Sequence, residues 1–261
     1  MSSLVTRKFA EWTKGLDPHE SRIAVFEHIR DFSYSLAAPH AGPGMAVEQL
    51  LSLGRGSCGA KHYLLAEMFR RLGLNVVYAT FAFTWNDPDF RYPPPLRERA
   101  AHVPESHHLA CRVQTGCRWA LVDATWDPPL AKAGFPVNLN WDGFADTKCA
   151  VKPLPSAIRS ASCRPALPGS CRTGEAAEIC PLDGEQDHGD DEDRAHHSGT
   201  GSPVTPRQRD LASAFYRELD AWMETFRQAG RQSDVDTPPS YPGSLPQPVN
   251  VTSDNRVQRT G

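Results

Sequence analysis

The chain lacks any apolar run long enough to span a membrane, and its opening stretch MSSLVTRKFAEW has no secretory-type hydrophobic core. A soluble, cytoplasmic protein is therefore expected. It also lacks an excess of one charge: the formal net charge of −3 over 261 residues supplies no basic field for nucleic acid or an anionic membrane. Peptide or small-molecule substrates fit this balance better. Its seven cysteines are odd in number and irregularly spaced, which argues against a disulfide framework and for reduced thiols.

Paired metal-ligand spacing is missing too. Cys163, Cys171 and Cys180 are separated by seven and then eight intervening residues, with His188, His196 and His197 beyond, far from the close pairing of structural zinc. The acidic run Asp183 to Asp193 has seven carboxylates in eleven positions but not the ordered spacing of a calcium loop. No metal or cofactor is expected, and no internal repeat is present.

What the chain does have is Gly54-Arg55-Gly56-Ser57-Cys58-Gly59 running into an amphipathic stretch, Ala60 to Leu72, with Leu65, Met68, Phe69 and Leu72 inward and Gly73 as C-cap. This puts Cys58 at a helix start, where free N–H groups and the helix dipole favour thiolate over thiol. An earlier helix is predicted from Asp17-Pro18-His19-Glu20, with Ile23, Phe26 and Ile29 inward. Met45 to Leu53 reads as a short helix.

Asn75 to Phe83 reads as a strand, Asn86 to Ser106 with its five prolines as a long loop, and His108 to Gln114 and Arg118 to Asp123 as two further strands. A two-residue turn at Thr115-Gly116 sets His108 opposite Asp123 on one face. A thiol nucleophile needs a base, and the base an orienting acceptor. Cys58 as nucleophile, His108 as base and Asp123 as its partner form the candidate triad, with the Cys58 N–H as one oxyanion donor. The same parity sends the neighbouring His107 outward, and His102 falls in the loop. Trp119 reads as core; Trp126 could equally line a cleft; Asp127 reads as a turn former.

The segments Gly56 to Leu74, His108, and Gly116-Cys117-Arg118-Trp119-Ala120-Leu121-Val122-Asp123-Ala124-Thr125-Trp126-Asp127-Pro128 together resemble the transglutaminase-like superfamily, as does the lead-in stretch Ile23 to Tyr34. The resemblance covers about Asp17 to Pro128. It implies an α+β, papain-like core with the helix-start cysteine packed on an antiparallel sheet. It also implies thioester chemistry on an amide or peptide bond. Ala110 stands where members often have an aromatic, and Gly59 where animal transglutaminases have Trp, so hydrolysis is implied as readily as transamidation. Arylamine N-acetyltransferases share the Cys-His-Asp order, making acetyl transfer an alternative; a catalytically idle interaction module of the same fold is another.

The core is expected over residues 1–152. A Pro-, Ser- and Gly-rich disordered linker with the acidic run follows over 153–204, then an amphipathic helix over 205–230 and a disordered tail over 231–261. Leu211, Phe215, Leu219, Trp222 and Phe226 form one apolar stripe, which must dock on the core or on a partner.

Overall fold

The computed structural model describes residues 3–36, 42–155 and 205–235. Of the expected linker, residues 156–204 with the acidic run, its cysteines and its histidines lie outside these residues, and of the expected tail only 236–261 does, because the amphipathic helix expected to end at 230 continues to Val235.

The N-terminal half is helical. Helix α1 (Ser3–Trp12), which the sequence reading did not anticipate, packs on α2 (Pro18–Arg30). Asp17 caps α2 with a full capping box: its side chain accepts the His19 and Glu20 N–H groups at 2.8 Å, and Glu20 reaches back to the Asp17 N–H. Strand β1 (Ser33–Tyr34) pairs in parallel with β2 (Arg55–Gly56), and α3 (Pro43–Leu53) lies between them in sequence. Gly54 ends α3 at φ 66°, a left-handed turn that aims the chain into β2 and then into α4 (Cys58–Arg71). Leu72, Gly73 and Leu74 close α4 in a Schellman motif, with Leu74 N–H on Phe69 O and Gly73 N–H on Arg70 O.

A three-stranded antiparallel sheet follows in the order β3 (Val76–Phe83), β4 (Ser106–Thr115), β5 (Arg118–Val122). The fold is thus mixed helix and sheet. The β4–β5 turn is two residues long, as expected, but it is Gly116-Cys117, with Thr115 opposite Arg118. The register therefore sits two residues from the expected one. A shift of two keeps every side chain on its face, so His108 and Asp123 still share one side, diagonally rather than directly opposed.

Three further expectations change. The proline-rich stretch holds helix α5 (Pro94–Ala100), which buries Leu96 and Ala100 and starts with prolines in its first turn, where no N–H is needed. Trp119 stands on the outer part of the sheet, 41% exposed, and not in the core. Cys117 is disulfide-bonded, against the expectation of reduced thiols, while Cys58, Cys111 and Cys149 are free.

Two apolar clusters fill the interior. One joins α1 to α4 to the sheet through Phe26, Leu64, Leu65, Met68, Phe69 and Val113. The other gathers Tyr34, Trp85, Phe90, Trp126 and Phe135 under helix α6 (Pro206–Val235), whose Phe215, Leu219 and Met223 are fully buried there. No described helix is long and apolar enough to cross a membrane.

Candidate active site

Ser57 is the N-cap of α4, its Oγ accepting the Ala60 N–H. That leaves Cys58 as the first helical residue, its own N–H without an acceptor among the described residues, as is usual at a helix start. Its side chain is half-buried against the aromatic cluster. Strand β4 delivers His108, buried with Phe81 of β3 alongside in register and stacked at 6.4 Å, whereas His107 is exposed on the opposite face. His102, too, is exposed.

Asp123 follows β5 and is fully buried. Its Oδ2 accepts from His108 Nε2 at 2.8 Å and from the Ala150 N–H at 2.7 Å; its Oδ1 accepts the Thr125 N–H at 3.1 Å. Thr147 and Asn138 hold its backbone through hydrogen bonds of 2.8 and 3.0 Å. The Nε2 bond to Asp123 leaves His108 Nδ1 for Cys58, whose thiol lies near enough for the imidazole to draw its pKa down.

The electrostatics favour a thiolate–imidazolium pair. Burial opposes ionisation of Cys58, but the hydrogen bond and charge of His108, with the Leu109 N–H, outweigh it and bring the thiol below its ordinary range. Burial likewise opposes charge on His108. Asp123, through its charge and hydrogen bond, outweighs that and holds the imidazole well above its usual value. The Asp123 carboxyl stays far below the carboxylate range, because the two histidines and its hydrogen bonds overcome its own desolvation.

Sequence reading missed several residues that build the site. Extending the inward stripe of α4 back from Leu65 by three and four positions gives His62 and Lys61, and both are completely buried. His62 bonds the Cys58 carbonyl through Nδ1 at 2.8 Å and accepts the Ala124 N–H at Nε2, 3.1 Å away. It therefore ties the start of α4 to the segment that carries Asp123. Burial drives its pKa down to about 4, so it is the neutral Nδ1–H tautomer. Lys61 Nζ donates to the carbonyls of Arg30, Phe32 and Thr125 at 2.9, 2.9 and 2.6 Å, and burial lowers its pKa to about 7. Asp127, expected to shape a turn, is buried beneath the site and bound by Arg227. Trp126 is buried, its Nε1 bonded to the Ala150 carbonyl at 2.9 Å.

Cys149 brings a thiol close to the pair: its sulfur, a His108 nitrogen and an Asp123 oxygen lie within 4.8 Å of one another, a donor set of a kind that suits zinc. As arranged, both Asp123 oxygens are already engaged by donors, and Cys149 is held toward the protonated form, by burial first and then by Asp123. The three residues are organised as a hydrogen-bonded pair with an adjacent thiol.

No protein-family model and no curated protein matches this chain. Among solved structures it is similar to a proposed cysteine protease from Cytophaga hutchinsonii, at 18% identity and a TM-score of 0.35. The match takes in 49% of this chain and 38% of that one, so this chain spans well under half of the other protein's length. At that level of likeness, the geometry of the site is what bears on function.

Proposed function

We propose that the protein carries out thiol-dependent acyl chemistry on an amide or peptide bond through a thioester on Cys58. One observation carries the reading: a half-buried cysteine at a helix start interacts with an imidazole whose other nitrogen is 2.8 Å from a fully buried carboxylate. Cys58 attacks the carbonyl carbon, forming the C–S bond while the π pair moves to oxygen. The tetrahedral species collapses as His108 gives its proton to the leaving amine. Water, activated by the now neutral His108, hydrolyses the thioester; an amine in its place gives transamidation. Asp123 holds the ring orientation and stabilises its charged form.

Limiting iodoacetamide at neutral pH, followed by peptide mapping, tests the activated thiol. Cys58 should be modified well before Cys111 and Cys149, and His108→Ala should slow its labelling. Uniform labelling of the free thiols, or a His108→Ala chain labelled as fast as wild type, would sink the reading.

A further inference from the structure

An oxyanion hole needs two donors, and the Cys58 N–H is one. Tyr34 stands beside the segment that enters the Cys58 helix: it pairs with Gly56 in the β1–β2 ladder, and the next residue, Ser35, donates its N–H to Gly56 O at 3.0 Å. The Tyr34 N–H donates to Asp127 Oδ1 at 2.8 Å, and its carbonyl accepts from Arg227 Nη2 at 2.9 Å. Its ring meets Trp126 edge-on at 4.5 Å, and Trp126 is itself bonded to Ala150, whose N–H holds Asp123. Cys58 packs against the same cluster.

The side chain ends in a hydroxyl that donates to no acceptor among the described residues. The residue is only 3% exposed, and such a hydroxyl is normally paired when buried. Tyr92 Oη is sealed from solvent without a partner; the Tyr34 hydroxyl is not among the sealed atoms, so a ligand can reach it. Burial and then the nearby Cys58 hold the phenol well above its ordinary ionisation, so it remains a donor even beside a thiolate.

We infer that the Tyr34 hydroxyl is the second oxyanion donor, an inference that rests on the acyl chemistry proposed above. As the Cys58 sulfur bonds to the carbonyl carbon, the π pair moves onto oxygen, and that oxygen accepts from the Cys58 N–H and the Tyr34 O–H. When the carbonyl re-forms, the leaving group departs with its electron pair and both donors are free again. No net proton leaves Tyr34.

Tyr34→Phe removes the O–H and keeps the ring, the Trp126 contact and every backbone bond. The full-length chain is compared with wild type using two reagents, with rates corrected for a Cys58→Ala chain. p-Nitrophenyl acetate acylates Cys58 through an oxyanion, releasing p-nitrophenolate. Iodoacetamide alkylates the same sulfur by displacing iodide, with no oxyanion. Tyr34→Phe should slow acylation about 10- to 100-fold, up to the scale of losing one oxyanion donor, and leave alkylation within about twofold. Equal acylation rates, or equal losses with both reagents, overturn the assignment. Failure of Tyr34→Phe to fold overturns it too, since an unpaired hydroxyl has no part in the fold. A wild-type Cys58 inert to both reagents instead overturns the acyl-chemistry reading, and the donor assignment with it.

Discussion

Arg227 grips Asp127 with two nitrogens, Nε on Oδ2 and Nη2 on Oδ1, each at 2.8 Å, across 100 residues of sequence. Both side chains are buried, and the same guanidinium bonds the Tyr34 carbonyl. Helix α6 is thereby fastened to the segment that follows Asp123. Its Asp220 adds a second anchor, accepting from Ser35 Oγ at 2.7 Å and the Leu36 N–H at 3.1 Å.

Breaking this pair from one side strands a buried charge. Arg227→Met should destabilise the chain by about 3–5 kcal/mol in urea unfolding, whereas the double variant Asp127→Asn/Arg227→Met should recover a large part of that loss. A double variant no better than the single one would show that the two charges are not coupled.

The shifts of Cys58 and His108 set a pH window for reactivity. Thiolate forms below the ordinary thiol range, so Cys58 alkylation should already be appreciable near neutral pH. Asp123→Asn removes the charge that raises His108, so the alkylation profile should move toward that of a simple thiol. His107→Ala serves as the control: that side chain is exposed, and its loss should leave the profile in place.

Lys61 has a folded pKa of about 7 against 10.5 ordinarily. Above about 7 the folded chain has released a proton that the unfolded chain keeps, so this group's contribution to stability rises from about pH 7 to 10.5. The difference in urea stability between wild type and Lys61→Met should grow over that interval. At neutral pH the variant, with three carbonyls left without their donor, should be weaker by about 1–3 kcal/mol or more.

His62 is depressed to about 4, so its contribution is full above the unfolded value of about 6.5 and is lost as pH falls through 4. A His62→Leu chain should lack that acid limb in stability profiles. It should also lose about 1–3 kcal/mol at pH 7, because the Ala124 N–H and the Cys58 carbonyl lose a partner.

Local chemistry made much of this legible in the sequence. The Asp17 capping box and the Gly73 helix stop are short-range signals, and they stand where the residues put them. The strand pair was legible in parity but not in offset: Gly116, with φ 67°, can serve at either position of a two-residue turn, so the turn moved by one residue and the register by two. Prolines hid α5, because clustered Pro reads as loop even where Pro94 and Pro95 suit a helix's first turn. Lys61 and His62 were passed over as polar residues although their phase on α4 was inward. The contact between Arg227 and Asp127 has no local signature at all, since only the packing of α6 brings them together.

The Arg227 clasp also gives the protein an order of assembly. Every residue of the Cys58, His108 and Asp123 group is translated before the helix that neutralises Asp127 and steadies Tyr34. A nascent chain therefore holds Cys58, His108 and Asp123 long before it has the contacts that steady the segments around them, and those contacts are completed only when α6 emerges and docks.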